Sequence, residues 1–147
     1  MRIQINNDEK LRSQIEIGLH EYNKEHCEFI KEHSAGTHTE YKRCNFIVYD
    51  DNDLGIGGAL GIIQYEWYYL EELWISEEYR KQGIGSEIIK EIEKVAAKEN
   101  LVGVRMETWS FQARGFYEKN GYEVYAELPN FPRGVTSYFL RKYRKMK

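Results

Sequence analysis

Leu73-Trp74-Ile75-Ser76-Glu77-Glu78-Tyr79-Arg80-Lys81-Gln82-Gly83-Ile84-Gly85-Ser86 is the stretch that decides how this chain folds. It begins apolar, crosses a charged loop carrying Arg-x-x-Gly-x-Gly from Arg80 to Gly85, and opens into a periodic segment. There Ile84, Ile88, Ile89, Ile92, Val95 and Ala96 fall on one stripe, with Glu87, Lys90, Glu91, Lys94 and Lys98 elsewhere. A strand over Tyr68–Ile75 therefore feeds an amphipathic helix. Beyond the helix, Val102, Val104 and Met106 alternate as a further strand. Two strands joined by such a crossover run parallel if they share a sheet.

Working outward, Arg2 to Ile5 alternates and predicts a strand, and Asn6-Asn7-Asp8 supplies N-cap candidates. Residues 8–32 follow a 3.6-residue period and predict helix, broken in two. Ser34 to Thr39 reads as a polar loop, Cys44 to Asp50 as a strand, and Leu54 to Gln64 as a strand rich in glycine. Glycines in a strand predict close approach by a neighbour or a ligand. Ser110 is placed to cap a short helix ending near Asn120, with Gly121 at its C′ position. Tyr122 to Leu128 and Val135 to Lys142 complete the strands, around a loop bounded by Pro129 and Pro132. This order of elements is α/β or α+β.

Composition narrows the classes further. A chain of 147 residues with 41% hydrophobic and 31% charged residues and 2 prolines is globular rather than disordered. Without a repeat or linker, 1–147 reads as a single domain. A net charge of −3 gives no pull toward nucleic acid, and no apolar run approaches a membrane span. Cys27 and Cys44 show no metal or redox spacing and suit a reducing, cytoplasmic setting. The four histidines lack ligand spacing, so no metal is expected. The N-terminus does not read as a signal peptide. The basic end from Arg141 to Lys147 reads as a solvated tail.

Glycines at a helix entry turn main-chain N–H groups toward one point, and the helix adds its unsatisfied N–H groups and dipole. Arg80 and Lys81 add charge at the same mouth, so a diphosphate is the natural guest. The dinucleotide fingerprint would need a third glycine where Ile88 stands, and the P-loop Gly-Lys-Ser/Thr is absent. A glycine helix entry with no ligand is the plain alternative.

Together with Ser110-Phe111-Gln112-Ala113-Arg114-Gly115-Phe116-Tyr117-Glu118-Lys119-Asn120-Gly121-Tyr122, the pattern resembles the GNAT N-acetyltransferase superfamily. The first segment is similar to its motif A, which cradles the pyrophosphate of coenzyme A. The second is similar to its Asn-x-x-Ala-x-x-Phe-Tyr-x-x-x-Gly-Phe/Tyr motif, with Ser110 in place of Asn. The tail Phe131-Pro132-Arg133-Gly134 is similar to a bacterial branch of small enzymes that commonly has His where Val135 stands. The resemblance implies a mixed, mostly antiparallel central sheet of about six or seven strands flanked by three or four helices, with the parallel crossover at its centre. It implies acetyl-CoA as the cofactor, a small-molecule amine as acceptor, and a homodimer. Leu73, Trp74 and Ile75 would pair with the pantetheine arm. Arg80, Lys81, Gln82, Gly83, Ile84, Gly85 and Ser86 would hold the pyrophosphate. Ser110 would touch the cofactor, and Tyr117 would sit near the thioester sulfur.

Acetyl transfer to an amine needs a neutral amine, an oxyanion donor and a protonated leaving thiolate. Tyr117 is the candidate acid, because a phenol titrates near a thiol. A main-chain N–H near Leu73 is the candidate oxyanion donor. Glu71 and Glu72 are the candidate bases, and strict alternation allows only one of them into the site. By that alternation Leu70, Glu72 and Trp74 share one face, and Tyr69, Glu71, Leu73 and Ile75 the other. Tyr65, Glu66, Trp67, Tyr68 and Tyr69 would add a pocket for a cation, such as a polyamine or amino sugar. The competing readings are a non-catalytic acyl-CoA-binding module on the same fold, a peptide or protein acceptor, and plain core packing for the aromatic residues.

Overall fold

In the computed structural model, residues 1–145 are described and divide into two compact units, residues 1–40 and the chain from Tyr41 onward. In the first unit the expected strand over Arg2–Ile5 is absent. Ile3 and Ile5 are 89% and 94% exposed, and alternation makes no strand without a neighbour to take the backbone groups. The helix forms and breaks as its period predicts. Helix α1 spans Glu9–His26, capped by the Asp8 carboxylate, which accepts from the Lys10 and Leu11 N–H groups at 2.9 and 3.2 Å. Cys27 is extended, and α2 follows over Glu28–Glu32. The segment read as a loop is instead a small hairpin, β1 (Ser34–Ala35) and β2 (His38–Thr39). Gly36 turns it with φ +68°, and Ser34 Oγ bonds the buried His20 ring at 2.7 Å.

The second unit is built on a seven-stranded sheet. Strands β3 (Lys42–Arg43) and β4 (Phe46–Tyr49) both pair with β5 (Gly55–Gln64), which pairs with β6 (Trp67–Ile75) through a two-residue turn at Tyr65-Glu66. Both turn residues have positive φ, the hairpin geometry that matches strand twist. The β5 glycines serve neighbours within the fold. A Cβ at Gly58 would strike the Phe46 carbonyl, and one at Gly61 would strike the Tyr68 ring.

After a single turn at Glu77–Tyr79, helix α3 (Ile84–Lys98) crosses over the sheet to β7 (Gly103–Trp109), which lies parallel to β6 as the crossover requires. Helix α4 (Arg114–Lys119) and the antiparallel strands β8 (Glu123–Pro129) and β9 (Thr136–Tyr143) finish the sheet in the order β3-β5-β6-β7-β9-β8. Ile88, Ile89, Ile92 and Ala96 of α3 bury against Tyr68, Leu70, Val104, Met106 and Leu140 of the sheet. Each fully buried aliphatic side chain there contributes about 1.5–3 kcal/mol.

Two readings of the C-terminal half are corrected. Ser110 does not cap α4, whose first turn begins beyond Ala113. It bridges to β9 instead, its N–H donating to Thr136 O at 2.8 Å and its Oγ accepting from Thr136 N at 3.2 Å. The basic end is not a tail through Tyr143. Arg141 and Lys142 lie in β9, bonded to Glu123 and Glu93. Met146 and Lys147, also read as tail, lie outside the described residues. The C′ assignment of Gly121 holds: Tyr122 N–H bonds Tyr117 O and Gly121 N–H bonds Glu118 O, the paired closure of a Schellman motif.

One irregularity changes what faces where. In β6 the register slips at Glu71, because Leu60 faces Glu72 while Gly61 faces Leu70. This bulge shifts the alternation by one residue. Tyr68 and Leu70 face α3 before it, and Leu73 and Ile75 face α3 after it. Tyr69, Glu71, Glu72 and Trp74 therefore share the opposite, open face, which replaces the strict two-face division expected for this strand.

Burial pushes three phenols of the core upward, Tyr68, Tyr122 and Tyr117, the last to about 12. A phenol raised above its unfolded value near 10 stabilises the fold fully below that pH, and loses this contribution as pH climbs through the folded value. The denaturant midpoint should accordingly hold steady from about pH 7 to 9 and fall from about pH 10 upward. In Tyr117→Phe that fall should be shallower. Parallel wild-type and mutant curves between pH 9 and 12 would contradict this.

Candidate active site

The notch at the centre of the sheet follows from the β6–β7 pairing. These strands pair from Trp67↔Gly103 to Leu70↔Met106 and no further, although β6 continues to Ile75 and β7 to Trp109. Past the Glu71 bulge, β6 has a neighbour only in β5. Ser76 N–H donates to Ile56 O at 2.8 Å. Backbone direction alternates along a strand, so Trp74 also faces β5, while the N–H and C=O groups of Leu73 and Ile75 face the notch. The Ile75 carbonyl there accepts from Arg80 Nε at 2.8 Å.

Helix α3 points its first turn at the same opening. Its N-cap is Gly83, left-handed at φ +80° with no side chain to cap the helix, so the first N–H groups stay available. Leu73 and Ile75 form one wall of a cleft of about 540 Å³. Arg80, Lys81, Gly83 and Ser86 form its mouth, and Ala113, Phe116 and Lys119 of the α4 segment form the far wall. A Cβ at Gly83 would meet nothing within 4 Å, so this glycine leaves room in the cleft. At Gly85 a Cβ would lie 3.0 Å from the Phe116 ring, so that glycine seats α4 against α3. Free helix N–H groups, two cations and an unpaired strand edge together suit a long ligand with an anionic diphosphate and an amide-bearing arm.

The expected site residues do not all meet here. Leu73, Ile75, Arg80, Lys81, Gly83, Ile84, Gly85 and Ser86 line the cleft. Trp74 does not: its backbone faces β5 and its side chain is 59% exposed on the open face. Gln82 turns its amide to Glu78 O at 3.3 Å and lies against β4 rather than in the cleft. Ser110 is held by β9. Tyr117 is buried, with its ring 5.2 Å from Phe116 and 6.3 Å from Tyr122, and desolvation raises its phenol to about 12. Glu71 pairs with Arg43 at 3.1 Å. Glu72 is exposed, with no ion pair among the described residues.

The aromatic cation pocket is corrected. Tyr65 and Glu66 form the hairpin turn, seven residues of strand from Leu73, or ~23 Å. Tyr68 is fully buried on the α3 face, donating to Cys44 O at 2.9 Å. Tyr69, Glu71 and Glu72 alone keep the expected placement near the notch. Residues that sequence reasoning missed are Tyr79, Phe116 and Lys119 in the cleft, and Arg105 and Glu107 of β7 on the open face. The alternation of β7 showed that Arg105 and Glu107 share a face, but not that Tyr69 lies beside them.

This geometry agrees with known proteins. Residues 42–124 match the acetyltransferase (GNAT) domain, and the chain belongs to that family. It is 40% identical over 87 residues to a blasticidin-S acetyltransferase of Streptomyces morookaense, a stretch covering 58% of this chain and 64% of that protein's length. An acetyltransferase structure from Bacillus cereus superposes with a TM-score of 0.82 at 24% identity, covering 97% of both chains, which shows the shared fold. A Bacillus anthracis protein, described provisionally as a streptothricin acetyltransferase and solved with acetyl coenzyme A, superposes at 0.62 with 20% identity, over 67% of this chain and 61% of that one. Acetyl-CoA is the acyl donor of this family.

Gly83 gives the cleanest probe of the anion cradle. Gly83→Asn and Gly83→Asp share the same backbone strain at φ +80° and differ only in charge. Calorimetry should show coenzyme A binding at least about fivefold weaker in Gly83→Asp than in Gly83→Asn, since the repulsion of one like-charge pair is worth on the order of 1 kcal/mol or more. Equal affinities would remove the cradle.

Proposed function

We propose that this chain is an N-acetyltransferase domain that moves the acetyl group of acetyl-CoA to a primary amine of a small molecule by direct attack on the thioester. One observation carries the reading: the released edge of β6 and the uncapped N-terminus of α3 open into one cleft. The stretch shared with a blasticidin-S acetyltransferase supports a small-molecule acceptor. The free cysteines, and the lack among the described residues of any helix long and apolar enough to cross a membrane, fit a cytoplasmic enzyme. We extend the proposal to a single domain over 1–147 and to assembly as a homodimer.

In this reading Arg80, Lys81 and the N–H groups from Gly83 to Ser86 bind the pyrophosphate. Leu73 and Ile75 hold the pantetheine arm through their notch-facing backbone. The Leu73 N–H donates to the oxygen that gains charge as the amine attacks. Glu72 takes the amine proton, directly or through water, because Glu71 is engaged by Arg43. The attacking nitrogen bonds the acetyl carbon, the carbon–sulfur bond breaks, and the departing sulfur receives a proton.

Tyr117 is the proton donor, on restricted terms. Its phenol, at about 12, lies above a thiol near 8.5, so complete transfer to the sulfur is uphill. Its contribution should then fall at or below the lower end of general acid catalysis, about 10²-fold. Thiol release from acetyl-CoA should be measured with polyamines, amino sugars, amino acids and peptides. Turnover should favour a small amine over peptides, rise with pH as the amine deprotonates, and show no alkaline decline from the phenol below about pH 11. Tyr117→Phe should cost about 10- to 100-fold in kcat while acetyl-CoA affinity holds within a few-fold. Wild-type turnover in that mutant would make Tyr117 a packing residue. No thiol release with any amine would favour the acyl-CoA-binding module.

A further inference from the structure

The open face of the sheet carries a row of charge that the acetyl-transfer reading leaves unused. Register places Arg43 beside Ile62, Ile62 beside Tyr69, Tyr69 beside Arg105, Arg105 beside Arg141, and Arg141 beside Glu123. Paired residues share a face, so this is one line of side chains across the strands. Two of its three guanidinium groups are matched: Arg43 to Glu71 at 3.1 Å and Arg141 to Glu123 at 3.2 Å. Arg105 is not. It lies half-buried over the Tyr69 ring, 4.1 Å from its centroid, and no carboxylate among the described residues pairs with it.

The neighbouring row, one step toward the notch, has the opposite sign. Glu71 and Glu72 stand on β6 and Glu107 on β7. Glu107 is the acid nearest Arg105 along the strand, yet its Oε1 accepts from the Tyr69 hydroxyl at 3.4 Å. Arg105 also sits directly across from Arg141, and like charges so placed destabilise a sheet. A carboxylate seated on Arg105 would relieve that repulsion. A guanidinium held over an aromatic ring loses less freedom when its planar fork takes up a carboxylate.

We propose that Arg105 binds a carboxylate of the acceptor, which makes the acceptor a zwitterion with its amine and its carboxylate ~7 Å apart, the span of two strand residues between the acidic and basic rows. The inference rests on the acetyl-transfer reading for the place of the amine, beside Glu72 at the notch. Tyr69 is a positioning residue here, lying under the Arg105 guanidinium and engaging Glu107.

The test compares 6-aminohexanoate with its methyl ester, which keeps the amine and chain and removes the negative charge. Wild-type protein should prefer the acid in kcat/KM, mainly through KM. Arg105→Met keeps the apolar stem over Tyr69 and should lower the acid-to-ester ratio by about 10- to 100-fold, the scale of a charge-assisted bidentate pair. Arg105→Lys should recover part of it. An unchanged ratio in Arg105→Met, whether or not overall activity falls, overturns the assignment. Calorimetry of 6-aminohexanoate on coenzyme A-loaded protein separates the two readings. Arg105-dependent binding without thiol release keeps the carboxylate site and removes the transferase. Turnover of the ester with no preference for the acid does the reverse.

Discussion

The parting of β6 from β7 after Leu70 and Met106 is the constraint on which the rest depends. Alternate residues of a strand give their N–H and C=O groups to each neighbour, so where one neighbour parts, the residues that faced it must offer those groups to something else. The Glu71 bulge sits where the parting starts, and it performs two tasks there. It bends the strand away from its neighbour, and it exchanges the faces of the residues beyond. Leu73 and Ile75 thereby reach the α3 side, where the cleft is, while Glu72 and Trp74 go to the open side. Were the strand to alternate regularly through Glu71, Glu72 would face the helix, and Leu73 and Ile75 would face solvent.

The cleft is held open by rigid parts. Ile88, Ile89, Ile92 and Ala96 fix α3 to the sheet, so the direction of its first turn is set by a buried core rather than by a loop. Phe116 closes over Gly85 and fixes α4 in the same way. Arg80 ties the connecting loop back to the Ile75 carbonyl. Main-chain donors positioned by packing need little reorganisation when charge arrives, which is what makes them effective for anion binding and for an oxyanion.

Charge on the open face follows the strand registers. Tyr69, Arg105 and Arg141 come from three strands that are distant in sequence, and they form a line only because those strands pair in this order. Acidic and basic rows two residues apart give the face a direction. That direction is a property of the sheet, not of any one segment.

By itself the sequence determined the elements whose information is local. The stripe from Ile84 to Ala96, the Gly83 entry, the Gly121 exit and the parallel crossover were all legible, because periodicity and turn chemistry are written in neighbouring residues. The two acetyltransferase-like segments also marked most of the cleft, since a helix entry and its preceding strand carry their function in contiguous residues. Only tertiary structure decided the rest. The bulge at Glu71 depends on how β5 and β6 pair, and it overturned a correct-looking alternation. The expected strand at Arg2–Ile5 failed because an extended segment needs a partner that its own residues cannot supply. Ser110 answered to Thr136 rather than to the helix after it. The neighbours of Arg105 were fixed by hydrogen bonds between strands far apart in the chain, and pairings of that kind depend on the whole sheet.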